Sequence, residues 1–432
     1  MKDFDEQNYD AIVEELEKVP VPQDKLAEAR TVSFIRGQRE KVRRKRAWQG
    51  VAMAAVFVLL FVTSIRISPA FAREVAKIPG FAPLVEMIAY DKGMKDILVN
   101  DYYEELDITK TKNGLTYSLI GVIADESGMV LSTQLLAPFD IHQLHVKNVE
   151  IVHNGKPLKA SMTYGWADQQ EPTNTIDSKI EIISKESIDY TNSTFELKIS
   201  LTDEWQTTFS IPFSINRELA KSEEYTLDEV VEIDGQLINV KSLKVSPLRT
   251  ELRLSVDPTN TMRILGFETI QLIDEKGEVW GAIEDGVIGT GSLLNGEVSY
   301  FIQSNYFRQP KSLTIRLGKV QALPIGQDYI EVDFLTKKVL YAPPFDGLDI
   351  RVLDFNTIEV KSTMISDFSD AVDMNGENVY IIGGTHMAIS EGRTNESTYS
   401  FNLRGATNPI RIYFNQYENY LQGSAEIKVP LK

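Results

Sequence analysis

The sequence has no cysteine among its 432 residues and only four histidines. A chain without cysteine cannot form disulfides, use a thiol nucleophile or hold zinc through thiolates. Any exported part of the protein must therefore be stabilised by sizeable hydrophobic cores, without covalent cross-links.

Local motifs for catalysis are also scarce. His142 and His145 form an HxxH pair, but no acidic third ligand stands at a diagnostic distance, which favours surface hydrogen bonding over a metal site. Gly289 and Gly291 form a lone GxG with no Lys-Ser/Thr after it, which predicts a loop and not a phosphate-binding turn. We predict that the protein is not an enzyme and that it uses no metal ion or cofactor.

Ala47–Ile65 is an apolar run of 19 residues without a charged side chain. As a helix it would extend about 28 Å, close to the hydrocarbon thickness of a bilayer, about 30 Å. Trp48 suits the headgroup region, and a basic cluster precedes the run, which by the positive-inside rule places the N-terminus in the cytoplasm and the rest outside a single-pass cell membrane protein. The residues that set this predicted topology are Lys41, Arg43, Arg44, Lys45, Arg46 and Trp48.

The alternative to a membrane span is a cleaved signal peptide, because Ala70-Phe71-Ala72 fits the small-x-small pattern of a cleavage site. However, the apolar run is longer than the usual core of a signal peptide, and 46 residues precede it. We therefore expect the span to be retained.

Charge is unevenly distributed along the chain. Residues 1–46 carry 11 basic and 10 acidic side chains, whereas residues 67–432 carry 33 basic and 52 acidic ones, a net charge of −19. A surface that acidic repels nucleic acids and other polyanions, so direct binding of DNA or RNA is not expected. The length of the chain suggests two to four domains.

The predicted cytoplasmic tail carries an apolar stripe. Tyr9, Ile12, Val13 and Leu16 recur at i, i+3, i+4 and i+7, the spacing of one face of a helix. Residues 1–28 hold nine acids and three bases, so a partner with a basic surface is expected. The residues predicted to contact that partner are Tyr9, Ile12, Val13, Glu14, Glu15, Leu16, Phe34 and Ile35. The alternative is a flexible tail, since helices this short are marginal alone.

After residue 108 the apolar residues alternate with period two, and turn pairs punctuate the strands. Asn154-Gly155 and Asp234-Gly235 are typical of tight hairpins. The pattern predicts a mainly β fold of tandem immunoglobulin-like sandwiches. The predicted divisions are a cytoplasmic helical tail (1–46), a transmembrane helix (47–65), a juxtamembrane helical collar (66–108) and three β-sandwiches (109–215, 216–340 and 341–432).

Two stretches carry a resemblance to a known family. SIRISPAFAREVAKIPGFAPLVEMIAYDKGMKD, followed by LTYSLIGVIADESGMVL, resembles the exported region of Gram-positive membrane proteins of domain-of-unknown-function family 4179. VEIDGQLINVKSLKVSPLRTELRL resembles the sandwich-like domain often found behind it in Bacillus-type proteins. Some members are anti-sigma factors for extracytoplasmic-function sigma factors, so the resemblance implies a sigma factor as partner. The sequence lacks the zinc-binding pattern of classical zinc anti-sigma domains.

Two functions fit these features. The first is a transmembrane regulator that sequesters a sigma factor, or another basic cytosolic protein, through its tail and senses an envelope ligand or envelope stress outside. The second is a structural or adhesive envelope protein whose β domains bind wall polymer or another surface protein. A tail that binds a cytosolic protein favours the first, and an idle tail favours the second.

Overall fold

The computed structural model describes residues 91–431, apart from 166–170, 185, 192, 284–287, 292, 294–295 and 388–394. All described residues belong to one compact unit, residues 65–432. Within the described ranges no helix has both the length and the apolar character needed to cross a bilayer. The predicted tail, the predicted span at 47–65 and most of the predicted collar lie outside these ranges.

The fold is mainly β, as the sequence predicts. The described residues form the α-helix α1 (Lys92–Val99), a 3-10 turn (Tyr306–Arg308) and 26 strands, all paired antiparallel. The strands form six sheets, and each of three hydrophobic cores draws most of its residues from two of these sheets. We call each such pair of sheets a sandwich.

The first sandwich has the sheet orders β1-β2-β3-β7-β6 and β5-β4-β8-β9. Along β8 buried and half-buried residues alternate, so that Phe195, Leu197 and Ile199 point into the core. Its strands are β1 (Glu104–Lys112), β2 (Leu115–Asp125), β3 (Gly128–Leu136), β4 (Val146–His153), β5 (Lys156–Pro157), β6 (Ser161–Gly165), β7 (Thr175–Ile183), β8 (Phe195–Leu201) and β9 (Thr208–Phe213).

The second sandwich has the orders β10-β11-β12-β16-β15 and β14-β13-β17-β26. Its core includes Trp280, which is fully buried, and Ile427 from the last strand of the chain. Its strands are β10 (Glu223–Ile233), β11 (Gln236–Val245), β12 (Thr250–Val256), β13 (Met262–Asp274), β14 (Val279–Trp280), β15 (Ile288–Gly291), β16 (Glu297–Ile302), β17 (Leu313–Pro324) and β26 (Ser424–Val429).

The third sandwich has the orders β19-β18-β25-β22 and β20-β21-β24-β23. Its core is rich in aromatic residues, among them Phe368, Tyr399 and Phe414. Its strands are β18 (Tyr329–Asp333), β19 (Lys338–Tyr341), β20 (Asp349–Val352), β21 (Thr357–Ser362), β22 (Ser366–Val372), β23 (Ile381–Met387), β24 (Asn395–Phe401) and β25 (Ile410–Tyr417).

The predicted hairpin turns are confirmed. Asn154 and Gly155 both have positive φ, and His153 pairs with Lys156, which leaves a two-residue loop. Asp234-Gly235 forms the same kind of turn between β10 and β11. These turns fix the strand register, because a slip of one residue would expose the buried face.

The first two sandwiches share one topology strand for strand. The turn between β1 and β2 is Asn113-Gly114, and the corresponding turn in the second sandwich is Asp234-Gly235. Six residues before each turn the first strand has a bulge, where Asp107 and Asp228 both have φ of 47°. This repetition indicates two copies of one nine-strand unit.

The third sandwich is inserted into the second. The sequence motifs YIEVDF and EIKVPL suggest the closing strands of the second and third units. In the structure EIKVPL contributes to β26, which pairs with β17 of the second sandwich and corresponds to β9 of the first, while YIEVDF contributes to β18, the first strand of the insert. The predicted third unit at 341–432 therefore differs from the observed one, because alternation alone does not reveal which sheet a strand joins.

Two local expectations also differ from the structure. The first described strand begins at Glu104, inside the predicted collar. The GxG at Gly289 and Gly291 is not a loop but lies in β15, which pairs with β16. The β-sheet supplies hydrogen bonds that the local sequence does not indicate.

We predict that Ile427→Ala destabilises the second sandwich. Ile427 is almost fully buried in its core, and truncation of such a side chain costs about 2–5 kcal/mol. Hydrogen exchange should show loss of amide protection in β13 and β17, with β18–β25 less affected, whereas Lys428→Ala, at the exposed neighbour, should change little. Loss of protection confined to β18–β25 would contradict the placement of β26.

Candidate functional site

The residues that the sequence singles out for partner binding and topology all lie between residues 9 and 48, outside the described residues. Their roles therefore stay predictions. The described feature nearest to them in sequence is α1, which lies in the C-terminal part of the predicted collar. We define the contact region of α1 with the first two sandwiches as the junction.

Asp91 caps the N-terminus of α1. Its backbone is extended, and its Oδ1 accepts a hydrogen bond of 2.7 Å from the backbone N–H of Gly93. A Cβ atom at Gly93 would lie 2.9 Å from the carbonyl oxygen of Ser304, so only glycine allows the helix to approach this backbone so closely. Glycine has a low helix propensity, but Gly93 lies inside α1 because close packing outweighs this cost.

The apolar face of α1 fills a small core between the first two sandwiches. Ile97 is fully buried and Met94 nearly so. The cluster around them combines residues from β2, β3, the turn after β11, the linker before β10 and the 3-10 turn; its members are Met94, Ile97, Tyr102, Tyr103, Ile123, Val130, Ala220, Leu248 and Phe307. Several segments thus depend on one short helix for the burial of their apolar surface.

Polar contacts connect the same segments. Asp125, fully buried at the end of β2, accepts a hydrogen bond from the backbone N–H of Leu248 in the second sandwich at 2.9 Å. On α1, the Asp96 carboxylate accepts a hydrogen bond of 2.6 Å from Nε of Arg308. Burial raises the pKa of Asp96, although Arg308 opposes this effect. Each bond joins groups far apart in sequence, so each depends on the junction being assembled.

Basic residues hold both ends of the α1 segment. Lys92 donates a hydrogen bond of 2.9 Å from Nζ to the carbonyl oxygen of Val279 in the second sandwich. After the helix, the Arg217 guanidinium lies 4.5 Å from the ring centroid of Tyr102 and donates to the carbonyl oxygen of Asp101 at 2.8 Å. The helix is thus fixed at its start by the second sandwich and after its end by the linker between the sandwiches.

The N-terminus of α1 also contains buried polar groups that are incompletely paired. Among the described residues none donates a hydrogen bond to Oδ2 of Asp91, and none pairs with Nε of Arg249 or the side-chain amide of Asn305. Burial raises the pKa of Asp91 to about 7. Hydrogen bonds from backbone N–H groups and the charge of Arg249 lower this pKa, but by less than burial raises it. A buried carboxyl at a helix cap is thus poised to change charge near neutral pH.

The histidine pair does not form a metal site with described residues. Nδ1 of His142 lies 2.7 Å from Oδ2 of Asp140, and the backbone N–H of His145 donates to Oγ1 of Thr202. Across the described parts of the chain, no group of three or more His, Asp or Glu side chains is arranged to hold a metal ion.

The junction could not be identified from the sequence. Its members come from segments separated by up to about two hundred residues, and no local motif joins them. The one available signal was the SPAFA-to-DKG stretch, whose last residues, Asp91-Lys92-Gly93, supply the cap and the start of α1.

Part of the junction lies in a region that matches a known family. Residues 41–136 match a domain of unknown function, DUF4179. The match supports the resemblance seen in the sequence, and the DUF4179 segment joins the predicted span to α1 and to β1, β2 and β3. Residues 222–342 match a family of unknown function, DUF5643, which begins at the start of the second sandwich. No curated protein matches the sequence.

Among solved structures, the chain is similar to the conserved domain protein from Bacillus anthracis, with a TM-score of 0.37 and 11% identity over 77% of this chain and 92% of that one. It also matches the cycloalternan-forming enzyme from Listeria monocytogenes, with a TM-score of 0.15 and 10% identity over 67% of this chain and 29% of the enzyme. At these scores the similarities carry no argument about fold or activity.

We predict that Asp91→Asn stabilises the junction at neutral and alkaline pH. Because the fold raises the pKa of Asp91 from 3.8 to about 7, the folded state holds the proton more tightly, and stability should fall as the pH rises from about 4 to about 7 and then level off. Asparagine keeps a capping oxygen without the charge.

Hydrogen exchange of the α1 amides, measured between pH 5 and 8 and corrected for intrinsic exchange rates, tests this prediction. The wild-type helix should lose protection with rising pH, and the Asn variant should lose less. Asp96→Asn serves as a control, because it removes the Arg308 ion pair but leaves the cap. Equal pH dependence in wild type and Asp91→Asn would contradict the assignment.

Proposed function

We propose that this protein is a single-pass membrane regulator whose cytoplasmic tail sequesters a sigma factor or another basic cytosolic protein. Its exported domains, which we take to be immunoglobulin-like, respond to the envelope. The observation that carries the proposal is the junction: among the described residues, the helix nearest in sequence to the predicted span packs against two sandwiches at once. The DUF4179 match covers both the predicted span and α1, which is consistent with the two acting together.

The junction offers a physical route for a signal. A ligand or stress that changes the contact between the first two sandwiches would break the bonds from Asp125 to Leu248 and from Asp96 to Arg308. The helix α1 would then lose its partners, and its release would change the orientation, or the exposure to proteolysis, of the membrane segment. The proposed role needs no catalysis.

The tail supplies enough apolar surface for sequestration. Burial of a large apolar side chain contributes about 1.5–3 kcal/mol, so the four stripe residues give a gross contribution sufficient for micromolar binding after the cost of ordering the tail. The nine acids of residues 1–28 would face the basic, nucleic-acid-binding surface of the partner and compete with the promoter.

We predict that Ile12→Asp combined with Leu16→Asp releases the partner, because two charges would have to be buried in an apolar groove. Co-purification of cytosolic proteins with the full-length chain from membranes should fall at least tenfold. The matched control is Gln7→Asp with Ala11→Asp, which adds the same charge at the same spacing on the opposite face of the predicted helix.

If both double variants retain the same cytosolic protein, the stripe is not the docking surface. If the wild-type chain retains none, the structural or adhesive alternative replaces the regulator. In that alternative the exported domains alone bind wall polymer or a surface protein, and the tail is idle.

We further predict that loosening the junction imitates the signal. Ile97→Ala combined with Leu248→Ala removes the centre of the small core but leaves the three sandwich cores intact. Retention of the cytosolic partner should fall severalfold, with the amount of protein in the membrane unchanged. Ile330→Ala combined with Ile410→Ala, equally buried but in the third sandwich, is the control. If the two double variants reduce partner retention equally, the junction has no special role in signalling.

A further inference from the structure

Large apolar side chains are exposed at one end of the third sandwich. We define the distal pole as its four loops farthest from the second sandwich: 334–337, 353–356, 373–380 and 402–409. The four most exposed large apolar residues there are Leu335, Phe355, Met374 and Tyr380, with 83%, 74%, 68% and 68% of their surface accessible. Side chains of this kind are normally covered, so their concentration needs an explanation.

The four loops lie together because they connect strands at the same end of the two sheets. Strands β18 and β22 end, and β25 begins, at the same end of one sheet. In the other sheet, β20 and β24 end there, where β21 and β23 begin. The segment 402–409 connects the loops: the side chain of Asn408 accepts from the backbone N–H of Phe334, the backbone of Thr407 bonds to Asp373 and Met374, and the backbone N–H of Asn402 donates to Tyr380.

An aspartate holds each of three loops in shape. Asp333 Oδ1 accepts from the backbone N–H of Leu335 at 2.9 Å, Asp354 Oδ1 from that of Asn356 at 3.0 Å, and Asp373 Oδ1 from that of Asn375 at 2.8 Å. In each case the carboxylate turns towards its own loop. An apolar residue one or two positions later points outwards.

The charge of the pole differs from that of the exported region. The exposed charged residues of its loops are Lys337, Arg404 and Glu377. A hydrogen bond from the Thr336 hydroxyl lowers the pKa of Asp333, and bonds from loop amides lower the pKa of Asp354 and Asp373; these carboxylates are half-buried or buried. With Asp354 and Asp373 the four loops hold two bases and three acids, a net charge of −1, whereas residues 67–432 carry −19. The strong repulsion that the rest of the region exerts on an anionic surface is therefore missing at the pole.

We propose that the distal pole is a lipid-binding surface that inserts Leu335, Phe355, Met374 and Tyr380 into the outer face of a bilayer. Isolated apolar side chains on three separate loops, with Lys337 and Arg404 nearby, suit the boundary of headgroups and acyl chains better than a continuous groove does. This inference rests on the proposed membrane anchor, which would keep the exported domains attached to a bilayer.

Because the chain has no cysteine, a single introduced cysteine can be labelled specifically. The full-length chain carrying Thr336→Cys, in the exposed tip beside Leu335, is labelled with nitrobenzoxadiazole and reconstituted into phosphatidylcholine vesicles with or without phosphatidylglycerol. We expect spin-labelled lipid to quench this probe at least fivefold more than a probe at Lys428→Cys on the second sandwich. Quenching should be at least as strong with phosphatidylglycerol as without it.

Leu335→Asp combined with Phe355→Asp should abolish the difference in lipid quenching between the two probe positions, because charged side chains replace apolar ones. The matched control is Met364→Asp with Ile365→Asp, which places the same charges on exposed apolar residues at the opposite end of the same sandwich. All four residues are exposed, so unchanged thermal unfolding verifies the fold of both variants.

Equal, weak quenching at both probe positions would overturn the proposal. Energy transfer between differently labelled copies that depends on Leu335 and Phe355, without lipid quenching, would assign the pole to a second copy and would also overturn it. Flotation of the chain with vesicles, which depends on the anchor and not on the pole, tests the anchor separately. A chain that does not float but is quenched by added vesicles would contradict the proposed topology alone.

Discussion

The burial of α1 between two sandwiches is the contact on which the arrangement of the first two domains depends. Each sandwich has a complete core of its own, whereas the surface between them is joined by the small cluster around Ile97 and by the bonds of Asp125 and Asp96. A cluster of this size contributes far less than either core. The junction is therefore the part of the fold that can open while the sandwiches stay folded.

Duplication explains why such a junction exists. Two copies of one nine-strand unit follow each other, and the turn after β2 in the first copy contacts the turn after β11, its counterpart, in the second. Asp125 occupies the position that corresponds to Ser246, and both lie at the junction, where Ser304 donates a hydrogen bond to the Ser246 carbonyl. Equivalent hairpins thus form the interface, and α1 fills the space that two similar surfaces leave between them.

The sequence predicted the properties that depend on neighbouring residues. Alternation of apolar residues gave the mainly β fold, and Asn154-Gly155 and Asp234-Gly235 were correctly recognised as hairpins, because positive φ at both positions is a local requirement. The assignment of EIKVPL to a third unit was wrong, because strand pairing at a distance of about a hundred residues leaves no mark in a single strand. The ion pair of Asp96 with Arg308, 212 residues apart, could not be predicted either, because no local pattern indicates so distant a contact.

The insertion of the third sandwich has a mechanical consequence. Since it enters after β17 and leaves before β26, two chain segments connect it to the second sandwich, and Gln321 is buried between them, where it accepts a hydrogen bond from the backbone N–H of Tyr417. A domain held by two connections transmits displacement better than one on a single linker. A force applied at the distal pole would therefore reach β13 and β17, and through the second sandwich the turn of Leu248 against α1. The distal pole and the junction are thus connected through the second sandwich.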